Sequence, residues 1–389
     1  MAFRHCRALP SVKVPFNEAL GRILADNVYS DTDIPGFNKS AMDGYACRRE
    51  DLGNELKVLE TIAAGMPPTR KVTQNCCSKI MTGAKIPAGA DTVIIVEETE
   101  ETGPGRIRYT GATPSANISY AGEDIRKGSR VLSKGTLVEP RHIAVLAAAG
   151  CINPDVFKQP GVGIISTGSE LVEPEEPLSD SKIRNSNGHQ LIAQLRQTGL
   201  NPVYYGIIRD NKQETLKIIK KSMEVNDLTL VSGGVSVGDF DYVPWAIREA
   251  GFTILFNKIS VKPGQHTTFA VRKNSDENLF RKYVIGLPGN PVSTFIMFEI
   301  FVKPFLYKLQ GTTAQEKLFP VPMAHGYERK NTGRTEFLPV LLNSVNQAEL
   351  ANYHGSAHIH AYQNASGFIM IGKDKKELKK GELVYVRSL

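Results

Sequence analysis

The chain has 389 residues, well beyond the size at which one hydrophobic core keeps growing, so several domains are expected. Hydrophobic residues at 41% and charged residues at 22% exclude a largely disordered chain. The net charge of +7 favours anionic ligands, yet the lysines are scattered and no basic stripe interleaved with aromatics is present, which argues against nucleic acid as a partner.

The cysteines, Cys6, Cys47, Cys76, Cys77 and Cys151, form no C-x-x-C pair, so reduced thiols in the cytosol are expected. The N-terminal "MAFRHCRALPSV" lacks the apolar region of a secretory leader. No segment approaches the roughly 18 apolar residues of a membrane helix, so the expectation is a soluble, cytoplasmic protein with no membrane partner.

Apolar positions at helical spacing between Phe16 and Leu24 predict a short amphipathic helix, followed by an extended exit. From 31 to about 125 the text turns Gly/Pro/Thr-rich, with β-like runs such as "DTVIIVEETEE" and "GRIRYTG", and predicts a small β-rich module. The segment "GEDIRKGSRVLSKGTLVEPRHIAVLAAAG" predicts two turns and a helix from about 140 to 149, packing back on residues 1 to 30. From 156 to about 311 strands and helices alternate, which predicts a doubly wound parallel sheet with helices on both faces. Residues 312 to 389 carry "TEFLPVLL", "SGFIMIG" and "ELVYVRSL" between turns and predict a small β-barrel or sandwich. The expected division is therefore 1–35 with 126–155 as a linking subdomain, 36–125 as an inserted β-rich subdomain, 156–311 as the α/β domain, and 312–389 as the last domain.

Ligands in doubly wound sheets bind at the carboxyl ends of the strands. "GLPGNPVS" sits at such an end, and a helix N-terminus there offers unpaired N–H groups to an anion. Pro291 at the first turn sacrifices no hydrogen bond, Gly289 permits close approach, and Asn290 and Ser293 add polar side chains. "STGSEL" offers Glu170, and "SGGVSVGDFDY" offers a glycine turn at Gly233 and Gly234 followed by Asp239 and Asp241. A glycine-rich loop cradles phosphate and adjacent carboxylates hold magnesium, although the G-K-[ST] element of a Walker A loop is missing. Each loop alone is also what an ordinary turn looks like; three at one sheet edge point to a phosphate-bearing substrate. In "NKISVKPGQHTTFAV", Lys258 and Lys262 stand at alternating strand spacing, either facing that anion together or lying exposed on an edge strand. Asp43 in "SAMDGYA", Thr82 in "MTGA" and Asp124 in "GED" read from composition as turn residues, and His358 with His360 lacks a third metal ligand.

Together "PGFNKSAMDGYA", "IMTGAKIPAGADTVIIVEE", "GEDIRKGSRVL", "GIISTGSELV", "KIRNSN", "VSGGVSVGDFDYV", "ISVKPGQ" and "GLPGNPVST" resemble, in order and spacing, the molybdopterin molybdenumtransferase family of MoeA and the gephyrin E domain. The resemblance spans roughly residues 10 to 375. It implies an enzyme of molybdenum cofactor biosynthesis that inserts molybdenum from molybdate into adenylylated molybdopterin and releases AMP. It further implies a MogA-like α/β domain, a homodimer with a shared active-site cleft, Mg2+, and possible contact with the molybdopterin adenylyltransferase. By motif, Ser232, Gly233 and Gly234 would line the phosphate and pterin loop. Glu170, Asp210 and Asp241 would serve the cation and the hydrolytic step. Lys258 and Lys262 would meet phosphate and molybdate, Pro288, Pro291 and Ser293 would shape the cradle, and Arg334 with Ser356 would approach from the last domain. Asp43, Thr82 and Asp124 would close the cleft from the neighbouring subunit.

Gln265 stands where the family often has a second lysine, and Asn38 where an acidic residue is common. Two other readings remain: a binding scaffold like the receptor-anchoring role of gephyrin's E domain, and the related adenylyltransferase. The retained acidic set argues against the first, and the long N-terminal insertion with "SGGVS" in place of "SGGTG" against the second.

Overall fold

The computed structural model describes residues 1–113, 115–235, 241–272, 282–313 and 317–389. Asp239, expected in the glycine-rich loop, lies outside them. The chain forms two compact units, one of residues 13–20 and 26–154, the other of residues 1–12, 21–25 and 155–389.

In the first unit the helix expected from Phe16 to Leu24 is a single 3-10 turn, Phe16–Ala19. Leu20 already has extended angles, and Gly21 takes φ +74°, a left-handed conformation that ends any helix. Val28–Tyr29 (β1) pairs antiparallel with Arg130–Leu132, so the segment around 130 returns onto the one before 30 through strand pairing. The β-rich module holds Lys39–Ser40 (β2), Gly44–Cys47 (β3), Glu55–Ile62 (β4), Cys76–Ile80 (β5), Thr92–Ile95 (β6), Thr99–Gly103 (β7), Arg106–Tyr109 (β8) and Ile118–Ser119 (β9), with Arg130–Leu132 as β10. Six of these form one sheet in the order β6-β3-β5-β4-β8-β7. Both faces are buried, Tyr45 and Cys47 facing one apolar cluster and Ala46 the other, as the two-residue period of a strand requires. The helix expected near 140 is Pro140–Ala148 (α1); proline opens it, and His142 Nδ1 accepts the Glu139 N–H at 3.0 Å.

The second unit is built on Val162–Thr167 (β11), Ser186–Gln197 (α2), Val203–Ile208 (β12), Lys212–Val225 (α3), Leu228–Ser232 (β13), Val243–Glu249 (α4), Thr253–Phe256 (β14), Val261–Lys262 (β15), Thr268–Arg272 (β16) and Lys282–Leu287 (β17). The central sheet runs β12-β11-β13-β17-β16-β14. Its strands read as continuous apolar runs because both faces are covered: Ile164, Leu230 and Ile285 pack in the cluster of α2, while Ile165, Val231 and Val284 pack in that of α3 and α4. The expected all-parallel sheet is mixed. β12, β11, β13 and β17 are parallel, but β16 runs antiparallel to β17, and β14 pairs antiparallel with β16. Only nine residues separate β16 from β17, too few for the crossover a parallel pair needs.

After β17 the chain enters a continuous helical rod: Pro291–Met297 (α5), a π-helical turn at Phe298–Val302, and Lys303–Leu309 (α6). Leu318–Pro322 (β18), Thr335–Leu342 (β19), Ala348–Leu350 (β20), Gly367–Ile371 (β21) and Leu383–Ser388 (β22) then make a sheet of order β15-β19-β21-β22-β18, with β20 beside β19. β15, contributed by the preceding α/β segment, pairs parallel with β19, placing Lys262 opposite Glu336.

The π turn carries Glu299, only 4% exposed. Its carboxylate takes Gln194 Nε2 of α2 at 2.9 Å and Lys303 Nζ at 3.0 Å, and Arg387 of β22 donates to its backbone oxygen at 2.7 Å. One acidic residue thus ties three elements. Glu299→Leu is expected to lower unfolding stability by about 3 kcal/mol, since removing one member of a buried ionic set strands the others. Glu299→Gln, which keeps the shape and an acceptor oxygen while losing the charge, should lose clearly less; denaturant titration giving equal losses would show that the charge alone carries the junction.

Candidate functional site

β11, β13 and β17 end in register, Ser166 beside Ser232 and Ser232 beside Leu287. Each is followed by a glycine-bearing loop, and these loops open a cleft of about 640 Å³. Close packing dictates the residue type at its floor. Gly233 has φ +92°, and a Cβ there would stand 2.4 Å from the Thr167 carbonyl oxygen. Its N–H donates to Leu287 O at 3.0 Å, so Gly233 supplies close approach and no free donor.

Of the residues expected from sequence, Glu170, Asp210, Ser232, Gly233, Gly234, Asp241, Pro288 and Pro291 all line this one cleft. Asp210 and Ser169 lock the two carboxylate-bearing loops: Ser169 N–H donates to Asp210 Oδ2 at 2.9 Å, and Asp210 N–H donates to Ser169 Oγ at 3.1 Å. Short parallel strands, Leu171–Val172 and Ile183–Arg184, hold the Glu170 loop. Among the described residues no three His, Cys, Asp or Glu side chains gather closely enough to cage a metal, so Glu170, Asp210 and Asp241 share a cleft without forming a ready-made cation site.

The proline-flanked turn departs from an open oxyanion cradle. Pro291 has no N–H, the Val292 N–H donates to Ser356 O at 3.0 Å, and Asn290 Nδ2 donates to Ser356 Oγ at 2.8 Å. Ser356 therefore caps the turn, and its neighbour Ala357 reaches the cleft. Ser293 is buried at 3% exposure and does not line the cleft; Thr294, whose Oγ donates to Pro288 O at 2.5 Å, fixes the turn instead.

The lysine pair is also corrected. Lys258 is exposed outside any strand, and only Val261–Lys262 is extended, so no alternation aligns the two. Lys262 Nζ lies 2.7 Å from Glu336 Oε1, and that buried carboxylate also meets Arg329 Nε at 3.0 Å. Half-exposed Lys262 thus shares its charge with a buried acid. Arg334 donates to Gln265 Oε1 at 2.9 Å, and the adjacent His266 lines the cleft.

In the other unit Asp43 precedes β3 and Thr82 follows β5, strands that pair directly. Thr82 donates to Asp43 Oδ1 from its backbone N at 2.6 Å and from its hydroxyl at 2.7 Å. These two bonds hold the exposed Asp43 carboxyl below the usual carboxylate range. Asp124 is exposed in a turn whose N–H donates to Ile34 O at 3.1 Å. Asn38 links the Asp43 and Asp124 segments, accepting the Ala121 N–H at 2.9 Å.

Sequence reasoning passed over Thr167, Asn185, Asn187 and His266, all of which line the cleft. The available signal was "KIRNSN" as a helix start. Asn185 caps α2, accepting the Gly188 N–H at 3.1 Å, and donates to Tyr204 Oη at 2.6 Å, which in turn donates to Glu173. Burial, then the Glu173 carboxylate, push the Tyr204 phenol far above its ordinary value.

Residues 2–150 match the family profile described as MoeA N-terminal region (domain I and II), residues 163–308 a probable molybdopterin binding domain, and residues 324–389 the MoeA C-terminal region (domain IV). A molybdopterin molybdenumtransferase of Staphylococcus epidermidis is 35% identical over 386 residues, covering 97% of this chain and 90% of the relative. One of Staphylococcus aureus is 38% identical over 311 residues, covering 78% of this chain and 73% of the relative. Among solved structures, molybdopterin biosynthesis MoeA protein from Pyrococcus horikoshii superposes with TM-score 0.84 at 29% identity, covering 100% of this chain and 97% of that one. A second structure of the P. horikoshii protein gives 0.82 at 31%, covering 99% and 96%. Sequence, fold and the clustering of the motif residues therefore agree: this chain belongs to the molybdopterin molybdenumtransferase family.

Proposed function

We propose that this chain inserts molybdenum from molybdate into adenylylated molybdopterin and releases AMP, as a transferase of molybdenum cofactor biosynthesis. The observation that carries the reading is the single cleft in which the glycine loop, the carboxylates Glu170, Asp210 and Asp241 and the Pro288–Pro291 turn converge. Such a cleft suits an elongated phosphate-bearing substrate: glycine backbone at the floor admits the phosphate closely, and the Ser232 hydroxyl lies beside it.

Molybdate is a tetrahedral dianion that must shed oxide as two thiolates replace it. Preorganised cations and dipoles stabilise that leaving charge, and do so more strongly when water is excluded. The β15–β19 pairing sets Lys262 opposite Glu336, Arg334 bonds Gln265 next to the cleft residue His266, and these two cations, which do not themselves line the cleft, are the groups we assign to the oxyanion. The donors at the Pro291 turn are largely committed to Ser356, so that turn contributes shape more than charge. Magnesium suits the donor set as the companion of a bound phosphate, since it is commonly held by one or two carboxylates plus substrate oxygens. Glu170, Asp210 and Asp241 would hold it, and it would neutralise charge on the phosphate when bound.

The resemblance extends the proposal to a homodimer in which Asp43, Thr82 and Asp124 of one protomer complete the cleft of the other. We place the enzyme in the cytosol. Cys6, Cys47, Cys76 and Cys77 carry free thiols, which fits a reducing compartment, and no helix among the described residues is long and apolar enough to cross a membrane.

Incubation with adenylylated molybdopterin, magnesium and molybdate should release AMP in proportion to molybdate consumed. Asp241→Asn should abolish that release while pterin binding persists. AMP release that ignores molybdate, or survives fully in the variant, would overturn the proposal. Mixing inactive Asp43→Ala chains with inactive Asp241→Asn chains should restore part of the activity through hybrid dimers; a mixture no better than either parent, with subunit exchange verified, would refute the shared cleft.

The Asp43–Thr82 bonds generate a pH prediction. A carboxyl held below its usual value stays ionised further into acid, so Thr82→Val, lacking the hydroxyl donor, should move Asp43 titration upward. The acid limb of the rate profile should move to higher pH with it. Carboxyl-carbon NMR of Asp43 checks the titration directly, and an unmoved curve would mean the hydroxyl contributes nothing.

A further inference from the structure

The segment "KIRNSN" has no role in the chemistry above, yet Asn187, in the first turn of α2, is 8% exposed and lines the cleft. Its Nδ2 donates to Ser232 Oγ at 2.9 Å and to Gly289 O at 2.7 Å. A backbone carbonyl only accepts, so the atom facing Gly289 is the nitrogen and the orientation of the carboxamide is fixed by chemistry. That leaves Oδ1, a pure acceptor, buried without a protein partner. A second orphan lines the same cleft: Thr167 Oγ1, on a residue 5% exposed, also has no partner. It lies 3.0 and 2.8 Å from where the Cβ atoms of Gly233 and Gly234 would be, in the space those glycines leave open.

Buried polar atoms in folded proteins are almost always paired, and an exception in a cleft marks a place where water or a ligand completes the bonding. An amide oxygen accepts the N–H of an edge that presents a donor next to an acceptor, the pattern of a planar nitrogen heterocycle, and a rotatable hydroxyl lining the same cleft can donate to a ring acceptor. We propose that Asn187 is a specificity-determining residue: its Oδ1 accepts an N–H from the heterocycle of the bound substrate, while its Nδ2 ties the glycine loop to the Pro288–Pro291 turn. Thr167 Oγ1, in the same cleft, is a second group free to meet that ligand. The inference rests on the proposed adenylylated substrate, whose two ends, adenine and pterin, both carry this edge.

Calorimetric titration separates the two ends. The full-length protein is titrated with AMP and with purine riboside 5′-monophosphate, which lacks the exocyclic amine, and separately with 6-hydroxymethylpterin and its 3-methyl derivative. In one of the two pairs the N–H-bearing ligand should bind about tenfold tighter, the worth of one hydrogen bond to a buried acceptor. Asn187→Ala should bring that ratio to about one, whereas Asn187→Asp, which keeps an oxygen acceptor and loses the donors, should retain it with weaker overall binding. A purely structural asparagine would weaken both members of a pair alike. Equal affinities within both pairs for the unaltered protein, or a ratio unchanged in Asn187→Ala, would overturn the assignment; the first of these needs no variant to fold. Molybdate-dependent AMP release with no such discrimination would sink this inference alone, while discrimination without AMP release would sink the proposed reaction alone.

Discussion

The site depends on one close approach, that of the Gly233 backbone to the carbonyl of Thr167. A side chain at position 233 would meet that oxygen at 2.4 Å, so only glycine lets the loop after β13 settle onto the end of β11. That contact places the Ser232 hydroxyl and the Gly289 carbonyl within reach of one asparagine amide and opens a floor of bare backbone. The parallel register sets up the approach. Ser166, Ser232 and Leu287 end three adjacent strands at one level, so every loop that follows emerges on the same edge.

A second constraint acts from the C-terminal sheet. Two residues, Val261 and Lys262, leave the α/β segment to pair with Thr335 and Glu336. This bridge fixes Arg334 against Gln265 and sets Lys262 against a buried carboxylate that Arg329 already holds. A lysine in that arrangement keeps a defined position while half its surface remains in water. Ser356 completes the link by accepting the Val292 N–H and the Asn290 amide.

The sheet was legible in sequence where burial on both faces left unbroken apolar runs, as at Val162–Thr167 and Leu228–Ser232. The antiparallel pairing beyond it was not, because direction depends on the length of a connection and not on the composition of "TILF" or "TTFAVR". Phe16 to Leu24 misled for a local reason: apolar spacing suits a helix, but Gly21 turns left-handed. Among site residues the glycines and carboxylates were legible because turn chemistry advertises them. Asn187 and Thr167 were hidden, since only the fold shows that their oxygens are buried and unpaired. The alternation of Lys258 and Lys262 assumed a strand, and the chain extends for only two residues there. The proline turn was expected to aim its amides at an anion, but a donor's availability depends on what else packs nearby, and Ser356 comes from 64 residues further along the chain than Val292.

Amide hydrogen exchange of the full-length protein, with and without adenylylated molybdopterin, maps where the substrate is held. If the carboxyl edge of the parallel sheet is the binding site, peptides covering residues 232–235 and 289–293 should slow on addition of substrate, while the outer strands of the C-terminal sheet stay unchanged. Protection confined to that outer sheet, with the cleft loops exchanging as before, would contradict the assignment of the cleft.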